Sequence, residues 1–385
     1  MEFTARRYDT RQVVTVTIDD GSIVSITNAD GPDSQDIPWV SPGFVDLQIN
    51  GYGGQEFNDL ALDTERVAQV SLANDADGVT SYLPTLTTQS FEMLCHGMQA
   101  IAAACEEDPR VAQRVIGIHL EGPYLSDQDG PRGAHPKEHC RAPDWDEFQR
   151  FQAAAEGNIR LFTISPEFET SAQVIGKVVD SGVVVAIGHT SANSEQIQAA
   201  VDAGASMSTH LGNGAHGQIR RHPNYIWDQL AEDRLIASLI VDGHHLPPSV
   251  VKAFIRCKTV ERCVLVSDIT GMAGMPPGLH ENASLGKVEV LEDGRLVVPG
   301  QRQILAGAAL PIGVGIANVM RFADLDLATA IGMATTGPAA ILGLTPVELA
   351  AGAAADLVLF QLPQDEPLQV VATISAGELV HGTLA

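Results

Sequence analysis

The chain has 385 residues, of which 45% are hydrophobic and 18% charged; this suits a large folded domain with a smaller one and excludes a disordered chain. Forty-eight acidic against 23 basic residues give a formal charge of −25, which repels nucleic acid and anionic membranes, so neither is an expected partner. Five cysteines without a CxxC pair, and no uncharged run of membrane-spanning length, point to a reducing cytoplasmic setting rather than a disulfide scaffold or a membrane.

In chain order, Gln12 to Ile18 and Ser22 to Ile26 alternate apolar and polar positions around an Asp20-Gly21 turn, which predicts a small antiparallel sheet. Trp39 to Asn50 reads as a buried strand that runs into Gly51-Tyr-Gly-Gly54, a tight loop rather than a nucleotide fingerprint, since no suitably spaced helix start follows. From there strand and helix patterns alternate. Helical periodicity covers Thr64 to Ala76, Phe91 to Cys105, Trp145 to Ala155, Ser171 to Ser181, Ser194 to Ala203 and Pro247 to Cys257. Between them lie strand-like runs at Gly78 to Pro84, Val115 to Glu121, Ile159 to Ile164, Val183 to His189, Ala205 to His210, Leu235 to Asp242 and Cys263 to Asp268. With the strand before Gln48 these make eight, which predicts a (β/α)₈ barrel with its chemistry at the C-terminal strand ends. Asn282 to Pro299 reads as a hairpin inserted at the barrel mouth, and the helix around Ile312 to Phe322 and the Ala328 to Leu342 segment close the ring. Ala355 to Phe360 and Gln369 to Val380 return to strands that pair with the N-terminal ones. The expected division is 1–40 and 349–385 as two parts of a small β-sandwich domain, and 41–348 as the barrel.

Three of the barrel runs end on metal-binding side chains: Glu121, His189 and His210. One carboxylate and two imidazoles at one end of a sheet make a divalent-metal constellation, and Asp268, ending the last run, is a candidate general base. Each residue has a plainer use. A lone buried histidine is often a hydrogen-bonded core residue, and an aspartate after a strand is often a helix cap.

The motifs Pro42-Gly-Phe-Val-Asp-Leu-Gln-Ile-Asn-Gly51, His119-Leu-Glu-Gly-Pro123, Gly188-His-Thr190, Thr209-His-Leu-Gly-Asn213, Asp242-Gly-His-His245, Ser267-Asp268 and Leu305-Ala-Gly307 occur in this order along the chain. Together they resemble the N-acetylglucosamine-6-phosphate deacetylase family of the amidohydrolase superfamily. The resemblance implies Glu121, His189 and His210 as metal ligands, Asp268 as catalytic acid and base, and zinc as the metal. It implies substrate contacts from Ala134, His135, Asn213, Gly214, His245, Ala306 and Gly307, and a homodimer. Where many amidohydrolases carry a His-x-His pair for a second metal, this chain has Gln48 and Asn50. Neutral amides are poor ligands, so they are vestigial second-metal positions, or simply satisfy backbone groups, and one metal per chain is expected. The common aromatic-Asn-Ala-Met after the second histidine is replaced by Gly212-Asn-Gly-Ala-His216, followed by Arg220-Arg-His222. The two arginines suit a phosphate, or are a solvated loop or a subunit contact.

The implied reaction is hydrolysis of the N-acetyl group of N-acetylglucosamine 6-phosphate. The alternatives are another N-acyl substrate of the same superfamily, whether an unphosphorylated or different amino sugar or an N-acyl amino acid, and a sugar-binding barrel without turnover.

Overall fold

The computed structural model describes residues 1–385 except 30–35, 283, 346–347, 365 and 385, and leaves the side chains of 302–304 undescribed. Its centre is an eight-stranded parallel sheet. The strands in chain order are β1 (Phe44–Ile49), β2 (Val79–Thr87), β3 (Ile118–Glu121), β4 (Ile159–Ile164), β5 (Val184–Ile187), β6 (Met207–Ser208), β7 (Ile236–Leu239) and β8 (Cys263–Leu265), each beside its sequence neighbour. The sheet closes on itself just beyond β8, where Asn50 N–H donates to the Ile269 carbonyl at 2.8 Å and Asp268 N–H to that of Gln48 at 2.9 Å. The barrel is the one expected, and Glu121 sits opposite Thr163 in the β3–β4 register.

Alternate strand residues serve different cores, as the two-residue period of a strand requires. Val45, Leu47, Leu83, Leu161, Met207 and Val264 pack together in one cluster. Phe44, Tyr82, Phe162 and Ile187 join a second, which includes Val67, Val70 and Leu94 of the surrounding helices.

The helices follow their periodic patterns closely, at Thr64–Ala73, Phe91–Glu107, Trp145–Ala154, Ser171–Asp180, Ser194–Asp202 and Pro248–Lys258. Asp63 caps the first through the Arg66 N–H, and Asn193 with Gln196 forms a capping box on the fifth. The segment Ala328 to Leu342, expected to close the ring, holds two short helices, Leu327–Gly332 and Thr336–Ile341. The break lets the Ala334 carbonyl accept from Val45 N–H at 2.8 Å, tying this segment to the start of β1.

Both termini meet in one seven-stranded sheet of order Glu378–Gly382, Gln369–Ser375, Leu357–Gln361, Trp39–Pro42, Glu2–Arg7, Val13–Asp19 and Ser22–Asn28. Val14, Val16 and Ile18 alternate inward and pack with Leu357, Leu359 and Ile374, so neither terminus has a core without the other. Trp39–Pro42 belongs to this sheet and β1 starts at Phe44, so the chain crosses into the barrel beside Gly43.

The expected single hairpin after Asp268 is corrected to a four-stranded antiparallel sheet, Gly278–Asn282, Gly286–Val290, Leu296–Val298 and Gln301–Gly307. Its last turn is at Pro299-Gly300, where Gly300 has φ +79°, a left-handed conformation that glycine adopts without penalty. A proline-glycine pair therefore turns the chain back where the single-hairpin reading ended it.

Candidate active site

Glu121 is the last residue of β3, while His189, His210 and Asp268 follow β5, β6 and β8 by a few residues. The latter three have left-handed backbones, with φ of 48°, 28° and 53°. Such conformations cost side-chain-bearing residues about 1–3 kcal/mol each and persist where the surroundings over-determine them. Here they turn each side chain off its strand direction and into the barrel mouth. The turn after His189 is held by Glu167, whose carboxylate accepts from Ser191 N at 2.8 Å and Ser191 Oγ at 2.9 Å.

The three candidate ligands converge. Glu121 Oε1 lies 3.1 Å from His189 Nε2 and 3.0 Å from His210 Nε2, and the two nitrogens are 3.1 Å apart. His189 Nδ1 lies 2.8 Å from the Pro131 carbonyl, which accepts a hydrogen bond from Nδ1–H and so favours the neutral tautomer with its lone pair on Nε2. Facing one another at this range, a carboxylate oxygen and two imidazole nitrogens either share protons or bind a cation between them. The spacing is close to the about 3.3 Å edge of a tetrahedron of ligand atoms roughly 2.0 Å from a zinc-sized ion. Glu121, His189 and His210, all buried, thus form a candidate divalent-metal site with three side chains able to act as ligands. Gly214 lets the loop after His210 close on it: at φ +55°, a Cβ there would stand 2.6 Å from His189 Nδ1.

Burial alone would push the Glu121 carboxyl up, but hydrogen bonds from His189 and His210 outweigh it and hold the group well below the usual carboxylate range. For His210, burial opposes the charged form, while the hydrogen bond and charge of Glu121 more than compensate and raise the pKa. Burial pushes Asp268 up to about 6, helped by the Glu121 charge and opposed by His210 and Asn50. Burial also lowers His119 to about 4 and His135 to about 3, so both are neutral near pH 7.

Gln48 and Asn50 support the two carboxylates. Gln48 Nε2 donates to Glu121 Oε2 at 3.1 Å and Asn50 Nδ2 to Asp268 Oδ1 at 2.8 Å. His119 bonds Thr163 Oγ1 at 2.8 Å and faces the Leu47 carbonyl at 3.1 Å, which makes it a barrel-interior residue.

A cleft of about 180 Å³ opens over the metal residues and Asp268. Since one water needs roughly 10–15 Å³ of such space, it has room for an organic ligand and not just an ion. Ala134, His135, Asn213, Gly214, Ala306 and Gly307 all line it. His135 Nε2 is 3.2 Å from His189 Nε2. The other three expected contacts lie elsewhere. His245 is outside the lining, its Nδ1 held by Asp242 at 2.7 Å. Arg220 and Arg221 are exposed, and Arg220 borders a separate hollow with His216 and Tyr225. No lysine or arginine lines the cleft among the described residues.

Three contributors were not foreseen from sequence: the Pro131 carbonyl, the Glu167 anchor and Glu56, a buried carboxylate in the cleft wall. A carbonyl has no residue signature. Glu56 could have been noticed as a charge in the buried-looking stretch Gln55-Glu-Phe57 after the glycine loop.

The Amidohydrolase family model matches residues 39–380. N-acetylglucosamine-6-phosphate deacetylase of Bos taurus is 34% identical over 352 residues, covering 89% of this chain and 83% of that protein. N-acetylgalactosamine-6-phosphate deacetylase of Escherichia coli O157:H7 is 32% identical over 313 residues, covering 81% and 80%. Among solved structures, an Asp-to-Ala mutant of N-acetyl-D-glucosamine-6-phosphate deacetylase from Mycobacterium smegmatis, in complex with N-acetyl-D-glucosamine-6-phosphate, superposes with a TM-score of 0.86 at 31% identity, covering 99% of both chains. With a closed parallel barrel, a candidate metal site at its C-terminal mouth and this coverage, the chain belongs to the amidohydrolase family, within its N-acetylglucosamine-6-phosphate deacetylase branch.

Proposed function

We propose that the protein hydrolyses the N-acetyl group of N-acetylglucosamine 6-phosphate, giving glucosamine 6-phosphate and acetate, with one zinc ion per chain. The observation that carries this reading is the convergence of Glu121, His189 and His210 beside Asp268 in an organic-sized cleft, in a chain about one-third identical to such deacetylases. A bound zinc ion would lower the pKa of its water and polarise the amide carbonyl. The chain's residues supply the rest. Asn50 occupies Asp268 Oδ1, which leaves Oδ2 to take a proton from the attacking water and return it to the departing amine. Neutral His135 offers an N–H donor to the amide oxygen as charge develops there. Ala134, Asn213, Gly214, Ala306 and Gly307 would hold the sugar.

The phosphate needs a cation that the described cleft lining lacks. Arg220 and Arg221 are exposed, as are the apolar Ile219 and Trp227, which supports reading this surface as a contact with a second copy of the chain, and a homodimer working in the cytoplasm is the expected form. Five free thiols suit that reducing compartment. The 32% identical galactosamine relative favours the epimer N-acetylgalactosamine 6-phosphate as the second reading.

Acetate release measured with both phosphorylated epimers and with free N-acetylglucosamine tests these points. Release from the phosphorylated glucosamine derivative at the highest kcat/KM is expected. A preference for the galactosamine epimer would select the second reading, and no release from any of them would discard the substrate class.

A further inference from the structure

The cleft has a second wall, built from the mouth hairpin Gly51–Tyr52 and Gln55–Glu56, the end of β2 and the inserted sheet. Most of its polar side chains are already committed to the protein. Asn58 gives Nδ2 to the Thr87 carbonyl at 2.7 Å and accepts Thr87 N–H at 2.9 Å. Thr270 Oγ1 donates to the Ala308 carbonyl at 3.2 Å, Ser284 Oγ to that of Asn58 at 3.3 Å, and Thr88 Oγ1 to that of Glu121 at 3.4 Å. Glu56 differs. Its Oε1 accepts from Gly271 N at 2.7 Å and from Asn282 Nδ2, whereas Oε2 has no partner among the described residues.

The residue is only 5% exposed and lines the cleft, so Oε2 is a fixed acceptor available to whatever occupies it. The bonds at Oε1 come from two places, the backbone after Asp268 and the inserted sheet, and they hold the carboxylate in one orientation before any ligand arrives. Thr87 and Gln89 also have side-chain groups without a partner among the described residues, but a carboxylate accepts from a hydroxyl more strongly than a neutral oxygen does. Leaving a buried carboxylate oxygen unmet is costly, so a ligand offering a hydroxyl here is favoured over one that does not.

We propose that Glu56 is a specificity residue that accepts a hydrogen bond from a ring hydroxyl of the sugar in the cleft. This rests on the amino-sugar reading above and adds to it how the ring is recognised. Glu56 takes no part in the hydrolytic step itself.

The test uses the metal-loaded enzyme at pH 8.5, where a carboxyl that burial raises to about 7 is ionised. KM and kcat are measured for N-acetylglucosamine 6-phosphate and for its 3-deoxy and 4-deoxy analogues, with the parent protein and with Glu56→Gln, which retains an oxygen for Gly271 and Asn282. In the parent, one deoxy analogue should show a KM raised on the order of ten- to a hundredfold, the range of a lost hydrogen bond to a charged group. In Glu56→Gln, KM for the full sugar should rise to a similar degree while kcat changes less than about threefold, and that analogue should no longer be discriminated. A merely structural role would not abolish one selective difference. If Glu56→Gln discriminates as the parent does, or if the parent is indifferent to both hydroxyls, the proposal is wrong while the deacetylase reading stands. The second of those results needs no variant and so holds even if Glu56→Gln does not fold. Turnover of none of the sugar phosphates by the parent would overturn both.

Discussion

Asp268 and Gln48 separate two jobs that a single lost activity would confuse. Asp268 is held by Asn50 and is not among the converging metal-binding atoms. Asp268→Asn should therefore keep its metal while kcat falls by about 10²- to 10⁴-fold, the usual worth of a positioned acid–base group. Elemental analysis and acetate release on the same preparation check both halves, and near-parental kcat would remove Asp268 from the chemistry. Gln48 acts through Glu121, orienting the carboxylate from its far oxygen. Loss of such an outer partner commonly weakens metal binding about 10- to 100-fold, so Gln48→Leu should lose metal to a chelator at correspondingly lower concentration. An unchanged competition curve would show that this hydrogen bond contributes nothing to the site. The convergence of Glu121, His189 and His210 was legible in the sequence because each ends or follows a buried-looking run and because carboxylate and imidazole are strong donors to metals. The roles of Gln48 and Asn50 were not, since an amide has no characteristic partner until the fold supplies one.

At the scale of elements, the barrel is joined to its periphery by a buried ion pair. Arg114, ending the short helix Pro109–Arg114, forks onto Asp75 at 2.7 and 2.8 Å, and the Asp75 carbonyl accepts the Thr373 hydroxyl from the terminal sheet at 2.7 Å. Burial raises the Asp75 pKa and the arginine only partly offsets it, as expected for a pair whose desolvation is expensive. Arg114→Met should accordingly destabilise the fold by about 3–5 kcal/mol in urea unfolding, because it strands a buried carboxylate. Adding Asp75→Leu should recover much of that loss, and a double variant worse than the single would refute the account. None of this was visible beforehand, since a charge in a helix reads as a solvated face until its partner is known. The eight strands and six principal helices were legible from periodicity alone. The helix Tyr225–Ala231 was missed because at seven residues it spans too few turns to show a period, although Asn224 caps it through the Ile226 and Trp227 N–H groups.

The whole molecule carries the consequences of burying carboxyls beside its mouth. Burial pushes Asp46, at the base of the site beneath Ser267, from 3.8 up to about 7 against the hydrogen bonds it accepts from Ser267 and Gln48. The unfolded chain releases this proton near its ordinary pKa, while the fold keeps it until about pH 7. Its stabilising contribution is thus complete below about pH 4 and is lost as pH rises through about 7. Asp46→Asn fixes the protonated-like state, so relative to the parent the variant should gain stability, on the order of 2–4 kcal/mol, between about pH 5 and 8. A stability difference that does not vary with pH would mean that Asp46 titrates normally in the fold.

The catalytic expectations depend on one divalent metal held by Glu121, His189 and His210. The most direct test is to strip the purified protein with a chelator and titrate zinc back, following acetate release from N-acetylglucosamine 6-phosphate against bound metal. Activity should rise linearly and stop at about one metal per chain, as an open three-ligand site requires. Full activity in the metal-free protein, or a break at two metals per chain, would contradict the account.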